Sequence, residues 1–352
     1  MQLISNNASV VKPITQDPRN TETIAQAVGN LPATDATPRY RKVKQGSILN
    51  AISMIRTNGK GVTTDPITGK LTVTYGRLTV TFEAGMNVSM KNSTHKLLLA
   101  IRQELAENSA NPHVMIPLSK YMQDRGIKDE KEARKQVNAD LDALFSAKAT
   151  FEEKIKGAWK NFIDMRIISS KGIQNGIIHV TFATDFFDIV KAYPVMWIPV
   201  LTLMVDDKRN PNTLALIDRI CAHRFMNGGK PNENIIPVKA LFAVGQFPSL
   251  EDIKKTGQHV SQQIITPFER DMDAISEITG FGWYLCHADG TPLTEDELQD
   301  LSSTIEKFYV SFSLTDYPAE EQQKRLAQRV AQIEAVKKRM PRTKKLKAGI
   351  EA

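Results

Sequence analysis

The 352-residue chain contains only two cysteines, Cys221 and Cys286, and neither has a second cysteine at the spacing of a zinc motif. This excludes a disulfide framework, and we expect two reduced thiols in the core. Long apolar runs are also missing. The longest, residues 195–205, contains Pro199 and is shorter than the roughly 20 residues that cross a bilayer. Because Met1–Lys12 has no apolar signal segment, we expect a soluble, cytoplasmic protein with no membrane partner.

Motifs of nucleotide-dependent and metal-dependent catalysis are missing as well. The glycines around Gly61 and Gly69 lack P-loop spacing, and Leu71 stands where a serine or threonine must reach Mg²⁺. The six histidines are scattered singly, which excludes the paired-histidine metal site of rolling-circle nickases. His223 is followed directly by Arg224, unlike the His-x-x-Arg set of tyrosine recombinases. We therefore expect no catalytic residue, no metal site and no cofactor.

Positive charge is abundant but concentrated at one end. The net charge is +7. Seven basic residues without an intervening acid lie near the C-terminus: Lys337, Lys338, Arg339, Arg342, Lys344, Lys345 and Lys347. Without these seven, the 46 lysines and arginines fall to 39, equal to the 39 aspartates and glutamates. The tail therefore predicts sequence-independent phosphate contacts, whereas the rest of the chain can bind DNA only if its charges are sorted onto one face.

Residues 234–314 show the most informative pattern. Apolar residues recur at helical spacing at Val260, Ile264, Phe268, Met272 and Ile275, after two shorter helical segments. Two strand-like segments follow. Three helices and a two-stranded wing are typical of a winged helix, a DNA-reading variant of the helix-turn-helix. The proline inside the long helix, Pro267, either kinks the helix or begins it. The acidic segment between the two strands is predicted to be turned away from DNA.

Several residues of this unit match one family pattern: Ile265, Pro267, Asp271, Ile275, Glu277, Tyr284 and the closing strand 310–314. In this pattern the chain resembles the iteron-binding replication initiators of plasmids. The resemblance implies two winged helices whose recognition helices bind origin repeats, and it implies opening of the duplex. It also implies a homodimer and the recruitment of a host helicase and a host initiator. The chain departs from the family in the helix near Thr213, where the hallmark tyrosines are absent.

A second copy of the pattern is predicted upstream. Its candidate recognition helix is Asp129–Ala147, with an apolar face that includes Ala133, Val137 and Leu141. Lys171–Gly176 is predicted to form the tip of its wing, with a lysine for phosphate. Upstream of it, residues 71–75 and 78–82 alternate strictly and predict a hairpin that packs on this unit or extends its sheet.

Two further segments complete the organisation. Arg39–Lys44 is a basic cluster with two alternative interpretations, a phosphate contact or a solvated linker. Residues 193–207 are apolar and are predicted to pack between the two halves. We thus predict an α+β protein with two tandem winged-helix domains in a pseudo-two-fold relation, an N-terminal β-hairpin and a C-terminal charged helix. The predicted divisions are a disordered segment (1–45), a short helix and hairpin (46–90), the two winged helices (91–200 and 201–316) and the charged helix with its basic tail (317–352).

The predicted DNA-binding residues are basic, histidine and amide side chains on the recognition helices, their approaches, the first wing and the tail. They are Lys128, Lys131, Arg134, Lys135, Lys171, Lys254, Lys255, His259, Gln262, Gln263, Arg342, Lys344 and Lys345. The predicted partner is double-stranded origin DNA. Two other functions stay open: a transcriptional regulator with no role in replication, and a structural protein whose winged helices contact other proteins.

Overall fold

The structure is a computed structural model of the whole chain. It describes residues 39–46, 49, 52, 62–67, 71–75, 78–82, 90–155, 158–279, 281–314 and 316–320. The predicted disordered segment up to residue 38, the charged helix and the basic tail with Arg342, Lys344 and Lys345 lie outside these residues. In the part of the chain that the structure describes, no helix combines the length and the apolar character needed to cross a membrane.

The described residues form a mixed α and β protein with several small antiparallel sheets. The helices are α1 (Asn92–Glu107), α2 (Leu118–Arg125), α3 (Glu130–Ser146), α4 (Thr184–Lys191), α5 (Thr213–Asn227), α6 (Val238–Phe242), α7 (Leu250–Thr256), α8 (Thr266–Thr279), α9 (Glu295–Gln299) and α10 (Leu301–Thr304). The strands are β1 (Tyr40–Lys44), β2 (Val62–Thr64), β3 (Leu71–Tyr75), β4 (Leu78–Phe82), β5 (His113–Pro117), β6 (Ala147–Ile155), β7 (Ala158–Arg166), β8 (Ile168–Gln174), β9 (Ile177–Phe182), β10 (Val195–Pro199), β11 (Ile235–Pro237), β12 (Gly282–Cys286) and β13 (Tyr309–Ser313).

The first unit consists of α1, β5, α2, α3, β8 and β9. Its three strands pair in the order β5-β9-β8, so the first strand of the unit lies beside the last. Val114 and Ile116 on β5, and Ile178 and Val180 on β9, alternate with more exposed residues and face the helices. The period of two therefore gives this sheet one buried face, against which α1 and α3 close the core.

The second unit repeats this topology with α5, β11, α6, α7, α8, β12 and β13. Its strands pair in the order β11-β13-β12, again with the first strand beside the last. Both units begin their second helix directly after a strand that ends in proline, Pro117 and Pro237. The second unit differs in dividing the single α2 of the first unit into two short helices, α6 and α7.

Equivalent residues of the two units can be paired one by one. The glycines that end α2 and α7, Gly126 and Gly257, both have left-handed backbone angles, with φ of 65° and 68°. The buried residues that follow these glycines also form equivalent pairs. In each pair, the two residue numbers differ by the same amount as those of the two glycines. These pairs are Ala133 with Ile264, Val137 with Phe268, Asp140 with Asp271, Leu141 with Met272 and Leu144 with Ile275. The chain thus contains two copies of one structural unit.

A five-stranded sheet lies beside the first unit in the order β2-β3-β4-β6-β7. The predicted hairpin is confirmed, since β3 and β4 pair antiparallel with Tyr75 opposite Leu78. Through the pairing of β4 with β6 the hairpin belongs to the five-stranded sheet, and it does not extend the β5-β9-β8 sheet of the first unit. The short helix predicted near the start of residues 46–90 is described only at Leu49 and Ile52, and both are fully buried.

The prediction that residues 1–45 are disordered is wrong for residues 40–44. These residues form β1, which pairs antiparallel with β10. The linker interpretation of the basic cluster is wrong, because residues 40–44 form a strand, whereas the phosphate contact stays a prediction. Several of its charges have partners within the protein. Arg41 forms an ion pair with Asp124, and Lys42 lies 4.9 Å from the ring centroid of Trp197. Lys44 is buried and donates to the carbonyl oxygens of residues 191 and 193 at 3.0 and 3.1 Å.

The two units share one hydrophobic core and a buried ion pair. Arg102 on α1 donates from both terminal nitrogens to Asp218 on α5, at 3.2 Å each. The same guanidinium group donates to the Lys44 carbonyl oxygen at 3.0 Å and to the Gln45 amide oxygen at 2.9 Å. The predicted packing of the apolar connector is confirmed, since the 3₁₀ turn Val200–Met204 packs against α2, α5 and α8.

Several element boundaries differ from the predictions. A helix that was not predicted, α4, follows the first unit's sheet and buries Phe186, Phe187 and Val190. Ala147 belongs to β6 and not to the recognition helix, because its backbone is extended. The acidic insertion of the second unit contains α9, which Thr294 and Glu297 begin with a reciprocal capping box.

Candidate nucleic-acid interface

Helix α3 has one buried and one exposed side. Ala133, Val137 and Leu141 are buried, as the sequence predicts. The helix begins after Asp129, whose carboxylate accepts hydrogen bonds from the backbone N–H groups of residues 131 and 132 at 2.8 and 3.2 Å. The exposed side carries the predicted DNA-binding lysines, Lys128, Lys131 and Lys135. None of the three forms an ion pair with the residues that the structure describes.

Arg134 lies beside these lysines but is already engaged. Its Nε and one terminal nitrogen donate to the Glu130 carboxylate at 2.8 and 2.6 Å. Glu130 and Arg134 lie one helical turn apart, and the ion pair is exposed, with 41% of the arginine side chain accessible. An exposed pair of this kind is worth less than about 1 kcal/mol, so a guanine edge or a phosphate can displace the glutamate.

Lys171 does not lie at the tip of the first wing. The turn between β8 and β9 is formed by Asn175 and Gly176, both with positive φ, whereas Lys171 lies within β8. Its register partner is the buried Val180, so it lies on the helix-facing side of the sheet. There its ammonium pairs with Asp142 and lies 5.7 Å from the ring centroid of Phe145. Alternation along the strand therefore directs this lysine to α3 and away from the turn.

Asp140 anchors α3 to the start of α1. Its carboxylate is buried and accepts hydrogen bonds from the hydroxyl groups of Ser93 and Thr94 at 2.8 and 2.7 Å. Burial raises the pKa of Asp140, and the two hydroxyl groups offset only part of that rise. A polar contact inside an apolar core fixes the rotation of α3, and with it the direction of the exposed lysines.

In the second unit, one continuous helix runs through Pro267. A π-helical turn, Ser261–Ile265, leads directly into α8, and Val260 and Thr266 at its two ends both have right-handed helical angles. The Thr266 N–H donates to the Ser261 carbonyl five residues earlier. Proline has no N–H to donate, and its ring crowds the preceding helical turn. The wider π turn accommodates Pro267, which resolves whether this segment is one helix or two.

Gln262 and Gln263 lie on the exposed side of this helix and exposed His259 lies just before it, while Ile264, which follows Gln263, is fully buried. Lys254 and Lys255 are exposed in the last turn of α7, directly before the helix. The structure thus brings five predicted residues to the start of one helix. When the two units are aligned by the constant difference in residue number, Gln262 of the second unit occupies the position of Lys131 in the first unit.

Sequence reasoning missed Arg270. It is exposed, one turn beyond Thr266 and two turns beyond Gln263, on the same side of α8. The heptad spacing from Gln263 was the available signal. Asp273, one turn further, is also exposed, and it accepts a hydrogen bond from the Trp283 indole nitrogen at 3.1 Å. Along the exposed side of this helix, the amide group of Gln263 is therefore followed by the guanidinium group of Arg270 and the carboxylate of Asp273.

Asp271 repeats in the second unit the anchoring that Asp140 provides in the first. It is fully buried and accepts from the Asn212 amide at 2.9 Å. The Thr213 hydroxyl donates to its backbone carbonyl at 3.0 Å and lies 3.4 Å from its carboxylate. Burial raises the pKa of Asp271, and the Asn212 amide offsets part of the rise. Both candidate recognition helices are therefore tied to the start of the first helix of their own unit.

The two cysteine thiols lie in the core. The thiols of Cys221 and Cys286 are buried, and burial raises the pKa of Cys286 to about 11, which keeps the thiol protonated and unreactive. Among the residues that the structure describes, no group of three or more His, Cys, Asp or Glu is placed to hold a metal ion. The arrangement instead offers two exposed helix sides with cationic and amide groups that can bind phosphates and base edges.

Comparisons with known proteins give remote similarities. No family model matches the chain, and no curated protein is similar to it. Two crystal structures of domains 2 and 3 of RctB are similar in fold, each at 9% sequence identity. One covers 69% of this chain and 90% of its own, with a TM-score of 0.40. The other covers 78% of this chain and 99% of its own, with a TM-score of 0.31.

Proposed function

We propose that the protein is a sequence-specific double-stranded DNA-binding protein that initiates replication at a plasmid or mobile-element origin. The observation that carries the proposal is the internal duplication. Two units of the same topology each present an exposed third helix, tied down by the buried carboxylates of Asp140 and Asp271. In each unit the helices pack on a small sheet whose three strands pair in the order first, third, second. This strand order is the one expected of a winged helix.

Duplication matters because of the geometry of DNA. Two readers in one chain can bind two adjacent major-groove segments without a second copy of the protein, and they favour a site that is directly repeated. The exposed groups suit this use. Lysines such as Lys131 and Lys254 bind phosphates, and an arginine or glutamine can form bidentate pairs with guanine or adenine edges. The basic tail, with Arg342, Lys344 and Lys345, adds sequence-independent affinity in this proposal.

The replication role and the iteron-binding family remain part of the proposal. They rest on the sequence pattern around Pro267 and on the tandem arrangement. The similarity to domains 2 and 3 of RctB, at TM-scores of 0.40 and 0.31, carries no argument for this chain. Recruitment of a host helicase and a host initiator, and a homodimer, belong to the same proposal through the family resemblance. We also propose that the protein is not an enzyme, so it neither hydrolyses ATP nor nicks supercoiled DNA.

Footprinting on DNA flanking the gene tests the proposal. Protection of directly repeated sequences beside an AT-rich stretch is the expected result. Protection of one palindrome would instead favour a winged-helix transcriptional regulator. If no DNA is bound in a salt-sensitive manner, the exposed helix sides serve protein contacts and the DNA-binding proposal is wrong.

A further inference from the structure

The outer face of the first unit's sheet brings together two histidines that lie 66 positions apart in the chain. His113 is on β5 and His179 is on β9, and both are half-buried. The Nε2 atom of His113 lies 3.2 Å from the Nδ1 atom of His179, and the ring centroids are 5.4 Å apart. We propose that this histidine pair, together with Met115, binds a soft monovalent metal ion, copper(I).

The distance between the two ring nitrogens fits a shared ion. Two imidazole nitrogens bound to one ion at about 2.0–2.1 Å, with an angle of about 100–120°, lie about 3.1–3.6 Å apart. The 3.2 Å separation falls in this range, so the two nitrogens are close enough to share one ion once the rings turn their lone pairs towards it. Without metal, the same separation makes a hydrogen bond between one protonated and one unprotonated nitrogen.

A neighbouring hydroxyl group orients one of the two rings. The Nδ1 atom of His113 lies 2.9 Å from the Thr181 hydroxyl, and the register places the two residues opposite each other on β5 and β9. When Nδ1–H donates to this hydroxyl, the lone pair of Nε2 faces His179. Metal-binding histidines usually donate their second nitrogen to an acceptor in this way, which fixes tautomer and ring orientation. Thr181 is therefore a positioning residue for the site.

Met115 supplies the third ligand. It is the register partner of His179, on the same outer face, and 51% of it is exposed. On the other side of His179 the register partner is Gly172, and a side chain added there would meet nothing within 4 Å. The outer face is thus open above His179, which leaves room for an ion.

The ligand set selects the ion. Thioether sulfur favours copper(I), whereas carboxylates and waters favour harder ions. The positions flanking the pair on the outer face carry Thr181, Gly172 and Met115 and no carboxylate. Two imidazoles and one thioether complete a three-coordinate, singly charged site. The buried thiols of the chain do not compete, because burial raises the pKa values of Cys221 and Cys286.

Competition against a chromophoric copper(I) chelator tests the proposal. The full chain, under anaerobic conditions, is expected to withdraw one copper(I) ion per chain from bicinchoninate. His113→Ala and His179→Ala should each abolish the withdrawal, and Thr181→Val should weaken it about 10–100-fold while leaving the stoichiometry unchanged. X-ray absorption should show nitrogen and one sulfur ligand in the first coordination sphere.

Matched variants serve as controls. Met226 is as exposed as Met115, at 52%, so Met226→Leu should leave the affinity unchanged while Met115→Leu lowers it. His287→Ala removes a partly exposed histidine outside the pair and should leave the copper(I) affinity unchanged. The proposal is wrong if His179→Ala retains the copper(I) affinity of the unmodified chain. It is also wrong if zinc(II) binds as tightly and Met115→Leu changes neither ion's affinity, since the pair would then be a plain two-histidine site.

Discussion

Asp140 and Asp271 show how single residues control the candidate interface. Each is buried on the inner side of a recognition helix and accepts hydrogen bonds from residues at the start of the first helix of its unit. Since both units keep the same contact at the same position, the direction of the exposed side chains is set in the same way twice. A buried carboxylate is costly unless it is hydrogen-bonded, so the contact is specific as well as stabilising.

Replacing Asp140 by alanine should lower the free energy of unfolding by about 2 kcal/mol, because the hydroxyl groups of Ser93 and Thr94 lose their acceptor inside the core. The matched control is Asp142→Ala, which removes an exposed carboxylate from the same helix and should cost less than about 1 kcal/mol. Urea denaturation of the three proteins measures both. Equal losses would show that Asp140 carries no special role.

The raised pKa values of Asp140 and Asp271 also predict a pH dependence. A carboxyl group whose pKa is higher in the folded state binds more protons there, so its contribution falls as pH rises above the ordinary value of 3.8. Asp140→Asn keeps one acceptor oxygen and cannot ionise. Its free energy of unfolding should therefore fall less steeply than that of the unmodified protein over the pH range just above 3.8. Parallel curves in urea denaturation would contradict the assigned cause.

At the scale of residues, the sequence predicted which side chains are exposed but not what they touch. Helical spacing placed Gln262 and Gln263 outside and Ile264 inside, because burial on an isolated helix follows its period. Lys171 was misplaced because its partner, Asp142, belongs to another element. The approach of His113 and His179 was invisible, since strand pairing brings together residues that are far apart in the chain.

At the scale of elements, two glycines set the entry into the recognition helices. Gly126 and Gly257 end the preceding helices with φ of 65° and 68°, a conformation in which a Cβ atom is strained. An added Cβ at Gly126 would make only an ordinary van der Waals contact with the Met204 methyl group at 3.6 Å, and at Gly257 it meets nothing within 4 Å, so the backbone angle decides the cost. The two connections are therefore equivalent in conformation as well as in position.

Gly126→Ala and Gly257→Ala should each lower the free energy of unfolding by about 1–2 kcal/mol. Gly172→Ala is the control, because an added Cβ there meets nothing within 4 Å and the backbone is not left-handed. This variant should lower the free energy of unfolding by no more than about 0.5 kcal/mol. Chemical denaturation measures all three. A loss at only one of the two helix ends would contradict the equivalence of the two units.

Element types were predicted well where one period persisted, as in α3, α8 and the β3–β4 hairpin. The failures have physical causes. The segment of β1 was predicted from its charges alone to be a phosphate contact or a linker. Lys44 is instead buried, and its ammonium group donates to carbonyl oxygens of a distant segment. The π turn before Pro267 arises from the way the helix adapts to the missing N–H of proline. The sequence alone was compatible with both a kink at Pro267 and a helix that begins there.

At the scale of the whole molecule, a buried ion pair joins the two units. Arg102 and Asp218 are 1% and 7% exposed, and the arginine also holds the end of β1 through Lys44 and Gln45. Two separately folding winged helices would not need such a contact. The pair makes the relative placement of the two exposed helices a property of the folded core.

Arg102→Ala should therefore lower the free energy of unfolding by about 3–5 kcal/mol, because it leaves the buried Asp218 carboxylate without a counter-charge. Lys191→Ala removes one partner of an exposed pair and should cost less than about 1 kcal/mol. The two halves should still unfold in one transition in both variants and in the unmodified protein. Two separate transitions in the unmodified protein would contradict a single shared core.

The central claim is that both exposed helices read DNA bases, and binding to a panel of single-base variants of the footprinted site tests it most directly. Arg134→Ala and Gln262→Ala should each reduce discrimination by about 1–3 kcal/mol at distinct positions, roughly one helical turn apart. Lys254→Ala should weaken binding to every variant alike, and Lys191→Ala should change nothing. If Arg134→Ala leaves the ranking of the variants unchanged, the first unit only clamps the backbone and the two-reader account is contradicted.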